Sequence, residues 1–145
     1  MPVTNCHIFL TDDDEDDRFL FTDAIKKIDG NIKVDVFEGA NQLLDYFETN
    51  DVIPHMIFID LNMPMMDGEE LLLELKNDSK TREIPVIIYS TSFSENKTEK
   101  LLNSGANLFL QKPSTYPDLK AKISECISVI MNDHGDSGQQ HNIVF

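Results

Sequence analysis

The chain has 145 residues, 41% of them hydrophobic, which is enough apolar content for one globular core and too much for a disordered chain. Its 26 Asp and Glu outnumber 12 Lys and Arg and leave a net charge of −14, which argues against nucleic acid and anionic membrane surfaces as direct partners. The same charge suits a cation-binding role, or simply a solvated acidic surface.

In chain order, Cys6–Thr11 reads as a strand buried on both faces. A helix follows over Asp14–Ile28, with Leu20, Ala24, Ile25 and Ile28 at helical spacing, and Asp29-Gly30 closes it. Lys33–Phe37 is a short strand, and Asn41–Glu48 a helix with Leu43, Leu44 and Phe47 inward. Met56–Asp60 is a strand, Gly68–Lys76 a helix, and Pro85–Ser90 a strand. Glu95–Ser104 is a helix stopped by Gly105, Asn107–Gln111 a strand, and Tyr116–Met131 a last helix with Leu119, Ile123, Ile127 and Ile130 on its apolar side. Five successive βα units predict a parallel sheet with helices on both faces. The expected fold is α/β: a doubly wound, flavodoxin-like (βα)5 sheet of five parallel strands in the order 2-1-3-4-5. One domain is expected over residues 4–131, followed by a polar, Gly-rich tail over 132–145 that reads as disordered until its terminal Ile-Val-Phe.

The longest apolar runs, such as MIFI and VIIY, are far too short to span a bilayer, and the first ten residues show no signal-peptide pattern. Cys6 and Cys126 sit in apolar patterns with no CxxC partner and read as buried thiols of a cytoplasmic protein. His7, His55, His134 and His141 have no partners at ligand or triad spacing and read as structural or solvated, and Met63, Met65 and Met66 as loop packing.

The chemistry is expected at the carboxyl ends of the strands, where open α/β sheets bind ligands. Strand one ends in Asp12 and Asp13, strand three in Asp60, strand four in Ser90 and Thr91, and strand five in Lys112. Three carboxylates in close reach repel one another, and a hard divalent cation compensates them best; Mg2+ is the expected cofactor. A metal, an ammonium, a hydroxyl and a carboxylate at one edge form a set suited to phosphoryl transfer, with an Asp able to act as nucleophile. The remaining acids of the first run, Asp14, Glu15, Asp16 and Asp17, read as a solvated turn that favours a helix N-terminus through its dipole.

Four motifs, FLTDDD, FIDLNMPMMDG, VIIYSTS and FLQKP, together resemble the receiver domain of two-component response regulators, the CheY-like group. The resemblance covers about Thr4 to Met131. It implies that Asp60 is the phosphoacceptor and that Asp12 and Asp13 are the acidic pair. It makes Asp12, Asp13, Asp60 and the Asn62 backbone carbonyl the metal site, with Asp13 and Asp60 the direct carboxylate ligands. Ser90 and Lys112 would bond the phosphoryl group, Lys112 ahead of what is usually a cis peptide to Pro113. Phe109 matches the switch aromatic, and switching would remodel the face of helix four, strand five and helix five. Phe109 lacks a hydroxyl, so switching there would work by packing, and Thr91 is expected to narrow access to the site.

The implied function is a stand-alone signalling switch, not an enzyme acting on bulk substrates. It would be phosphorylated by a histidine kinase or histidine phosphotransfer protein and read by a downstream protein target. A phosphorelay intermediate or phosphate sink would share the site chemistry. A phosphohydrolase of the haloacid dehalogenase type would want a second Asp two residues after the nucleophile, where this chain has Asn62. A purely structural binding module would not need the acids, hydroxyl and lysine together.

Overall fold

The computed structural model describes residues 6–91 and 93–132. Its strands are β1 (His7–Thr11), β2 (Lys33–Phe37), β3 (Met56–Asp60), β4 (Val86–Ser90) and β5 (Leu108–Gln111). They alternate with α1 (Glu15–Ile28), α2 (Ala40–Thr49), α3 (Gly68–Asn77), α4 (Glu95–Asn103) and α5 (Tyr116–Asn132). The strands pair in parallel in the order β2-β1-β3-β4-β5, as the alternation predicts.

Side chains alternate across each strand and divide the core into two layers. Ile8, Leu10, Phe58, Ile87, Tyr89, Leu108 and Leu110 pack with the buried faces of α1 and α5. Phe9, Ile57, Ile59, Ile88 and Phe109 pack with those of α2, α3 and α4. Cys6 and Cys126 are buried, free thiols in the first layer.

Several sequence expectations are corrected in detail. The strand begins at His7, leaving Cys6 buried but outside the ladder. β2 lies at the sheet edge, as the order 2-1-3-4-5 predicts, and is only partly buried, with Val36 43% exposed. In α1 the buried residues are Phe21, Ala24 and Ile25, whereas Leu20 is 40% exposed. The inward stripe therefore runs through Phe21, one residue later than the Leu20 reading. His7 does have a partner, since its Nε2 lies 2.6 Å from Asp35 Oδ2 on the neighbouring strand. All peptide bonds among the described residues are trans, including that before Pro113, where the resemblance implied cis. The expected tail falls, beyond Asn132, outside the described residues, as do His134 and His141.

The strand ends fix where functional side chains gather. Register pairs Thr11 with Ile59, Asp60 with Tyr89, and Ser90 with Gln111, so β1, β3, β4 and β5 finish side by side.

Candidate functional site

Asp60 is the last residue of β3 and is 5% exposed. Asp12, just past β1, is fully buried, while Asp13 is exposed. One carboxylate oxygen from each lies within 4.8 Å of the others. Lys112 follows β5 and reaches back across the sheet, its Nζ 3.1 Å from Asp12 Oδ2 and 3.6 Å from Asp60 Oδ2. The Tyr89 ring lies beneath the ammonium, with its centroid 4.8 Å away. Ser90, 1% exposed, ends β4, and its carbonyl accepts from the Lys112 backbone N–H at 2.7 Å. The sequence placed these five residues at one edge, and the fold brings them there.

Local backbone chemistry explains the placement. The Asp14 N–H donates to Asp12 Oδ1 at 2.9 Å, and Asp14 Oδ1 in turn accepts from Asp16 N–H as the N-cap of α1. Each acid thus shapes the turn that holds the next. The Asn62 N–H donates to Asp60 Oδ1 at 3.3 Å. Asp67 and Glu70 close a capping box at the start of α3. Gly68 is required there, because a Cβ would stand 2.5 Å from the Asp60 carbonyl oxygen and 2.8 Å from Leu61 Cα. Met65, 92% exposed with φ 71°, takes the left-handed turn of the loop between β3 and α3, whereas Met63 packs into the core and Met66 packs partly against it.

Two residues were missed. The sequence reads Asp17 as part of a solvated turn, but its Oδ2 lies 2.8 Å from Lys112 Nζ, nearer than either Asp12 or Asp60. The correction follows from the phase of α1. Asp17 is one helical turn before Phe21 and shares its inward stripe. Arg18 donates from Nη1 to the Asp12 carbonyl at 2.8 Å and reaches Glu38 at 3.8 Å. Together with Asp13, Glu38, Pro64 and Met65 it lines a cleft of about 460 Å³ beside the acids.

Burial and charge pull the carboxyls upward. Burial pushes Asp60 up to about 7; Lys112 opposes the shift and Asp12 reinforces it. Burial also raises Asp12, against the Asp14 N–H and the Lys112 charge. For Lys112, burial acts downward, but the hydrogen bond it donates to Asp17 and the charges of Asp12 and Asp60 outweigh it, and its pKa rises. The set is therefore short of positive charge: one ammonium meets three carboxylates, Asp12, Asp17 and Asp60, and Asp13 adds a fourth beside them. Clustered carboxylate oxygens are the donor type that divalent cations take, so Asp12, Asp13 and Asp60 fit such an ion.

The remaining expected positions lie close by. Phe109 is fully buried, and Phe93 from the loop before α4 meets it edge-on at 5.5 Å between ring centroids. Thr91 is exposed, and its carbonyl accepts from Gln111 Nε2 at 3.1 Å.

The family model of the response regulator receiver domain matches residues 8–124. The chain belongs to that family. This receiver domain is 34% identical over 137 residues to the two-component response regulator ARR16 of Arabidopsis thaliana, covering 84% of this chain and 82% of that one. It is 27% identical over 122 residues to a probable methanogenesis regulatory protein, FilR2, of Methanothrix harundinacea, covering 81% and 79%. Among solved structures, the phosphorylated cyanobacterial phytochrome response regulator RcpA superimposes with a TM-score of 0.80 at 25% identity, over 87% of this chain and 94% of that one. The receiver domain thus carries its acid cluster on a fold shared with known response regulators.

Proposed function

We propose that this receiver domain, over residues 4–131, is a phosphorylation switch whose acceptor is Asp60. The observation that carries the reading is the meeting of Asp60 with Lys112 and the Asp12–Asp13 pair at one sheet edge. The donor would be the phosphohistidine of a histidine kinase or a histidine phosphotransfer protein. An oxygen of the Asp60 carboxylate forms a bond to phosphorus as the P–N bond to the donor imidazole breaks. The electron pair returns to the imidazole nitrogen, which takes up a proton.

Asp12, Asp13, Asp60 and the Asn62 carbonyl would hold Mg2+. When bound, the ion supplies positive charge that keeps the three carboxylates ionised together and neutralises phosphoryl oxygens. Lys112 places its ammonium within ion-pair reach of the oxygen that attacks, so it can meet a phosphoryl group formed there. Ser90, at the end of the adjacent strand, would donate its hydroxyl to the same group. That new charge and its hydrogen bonds would bias the loop before α4, through Phe93 on Phe109, and so the face of α4, β5 and α5. A downstream protein would read that face.

The net charge supports a protein partner over nucleic acid. No described helix is long and apolar enough to cross a membrane, which is compatible with the cytoplasmic setting where kinase domains act. The role is a switch that turns over only its own phosphoryl group.

The test is intact mass after incubation with acetyl phosphate and Mg2+, beside Asp60→Asn. The expected outcome is a gain of one phosphoryl mass in the wild type, absent without Mg2+ and absent in the variant. A gain that survives Asp60→Asn would move the acceptor elsewhere, and no gain in the wild type from either acetyl phosphate or a phosphorylated phosphotransfer protein would end the reading.

A further inference from the structure

Lys112 is held by more partners than phosphoryl binding requires. Its ammonium has three N–H donors and three carboxylates around it. Two of the three distances are hydrogen bonds: 2.8 Å to Asp17 Oδ2 and 3.1 Å to Asp12 Oδ2. The third, 3.6 Å to Asp60 Oδ2, is an ion pair but too long for a hydrogen bond. The lysine is thus drawn toward α1 and off the acid that must react. Asp17 is the only member of this trio outside the cluster of three that fits a cation. It sits at the start of α1, 30% exposed, with no fixed position in the strand-end set.

We propose that Asp17 is a positioning residue that anchors the Lys112 ammonium away from Asp60 and keeps the Asp60 oxygen free to attack. The inference rests on Asp60 being the acceptor. Without Asp17, the nearest remaining acceptors of the ammonium are Asp12 and Asp60 themselves. One N–H then turns onto Asp60 Oδ2 and draws electron density from the oxygen that attacks, which makes it a poorer nucleophile. The uptake step itself is unchanged: an Asp60 oxygen bonds phosphorus, the P–O bond to acetate breaks when acetyl phosphate is the donor, and acetate leaves with the electron pair. Asp17 changes only how often Asp60 is ready for it. The charge on Asp17 is the working element, because a neutral side chain cannot match the pull of the Asp60 carboxylate on an ammonium.

The experiment is the rate of phosphoryl uptake from acetyl phosphate at saturating Mg2+, followed by intact mass, in wild type and in Asp17→Asn, Asp17→Ala and Asp17→Glu. Asparagine keeps the size and the hydrogen-bonding oxygen but not the charge. Glutamate keeps the charge on a longer stem. The expected result is about tenfold slower uptake in Asp17→Asn and Asp17→Ala, the size of one charge-assisted hydrogen bond. Asp17→Glu should recover most of the rate, with all variants melting within a few degrees of wild type. Wild-type rates in Asp17→Ala overturn the proposal. So does an Asp17→Asn rate equal to wild type, which would reduce Asp17 to local packing, and so does an Asp17→Glu rate no better than asparagine. A wild type that takes up no phosphoryl group from either acetyl phosphate or a phosphorylated phosphotransfer protein would overturn the acceptor reading beneath, and that result is seen before any variant is compared.

Discussion

Asp60 is a carboxylate that folding makes harder to ionise. Burial and Asp12 raise its pKa from 3.8 to about 7, and Lys112 only partly offsets them. The folded chain therefore holds that proton more tightly than the unfolded chain. Its contribution to stability is complete below about pH 4 and is lost as the pH rises through about 7. In the absence of divalent cation, Asp60→Asn should be the more stable protein at pH 7.5, by an amount on the order of a few kcal/mol, and that advantage should shrink toward pH 4. Urea midpoints of the two proteins at both pH values check this; a difference that does not change with pH would contradict it. The clustered carboxylates Asp12, Asp13 and Asp60 were legible in the sequence, because they stand at the end of an apolar strand or just past it. Asp17 was not, because six consecutive acids offer no contrast among themselves. Asp17 stands one turn before Phe21 and two turns before Ala24, both buried, and so shares their face.

At the scale of elements, α3 and α4 are fastened close to the site. Gly68 lets the first turn of α3 press on the end of β3, where a Cβ would meet the Asp60 carbonyl oxygen at 2.5 Å. Gly68→Ala should cost about 1–3 kcal/mol, as overpacking does, and slow phosphoryl uptake because β3 must shift to make room. A melting temperature and uptake rate unchanged from wild type would contradict this. Glu69 of α3 holds Lys97 at 2.9 Å and Lys100 at 3.2 Å, tying α4 to α3 through a carboxylate whose side chain is 13% exposed. Those ion pairs pull the Glu69 carboxyl below its usual range, chiefly through Lys97. Glu69→Ala should raise amide exchange in α4 by up to about fivefold, the scale of about 1 kcal/mol for a surface network. Unchanged exchange would show that α4 is held by its apolar contacts alone. Most helix ends were legible to within a residue or two from caps and glycines. The phase of α1 was not: Phe19, Leu20 and Phe21 are three consecutive apolar residues, so the spacing allows more than one inward stripe. Tertiary packing chose Phe21 and left Phe19 at 69% exposure.

For the whole molecule, alternation of strands and helices sufficed for the architecture, since parallel strands with right-handed crossovers leave few arrangements. The predicted order already puts β2 at an edge; what alternation could not show is how far its faces lie open, because a five-residue apolar-polar run reads alike in either setting. Nor could the sequence show that the site is bound into the sheet by Lys112, which reaches over Tyr89 to acids on two other strands' ends. The fold thus gathers residues 12, 17, 60 and 112 from across the chain at one edge, and the switch reading depends on that edge reacting at Asp60. The most direct test is to trap the product chemically. The receiver domain, treated with acetyl phosphate and Mg2+, is reduced with borohydride, which converts an aspartyl phosphate to homoserine, and its peptides are sequenced by mass. The account predicts homoserine at position 60 and nowhere else among the acids, with Asp12, Asp13 and Asp17 intact. Homoserine at any of those three, with Asp60 unmodified, would contradict it.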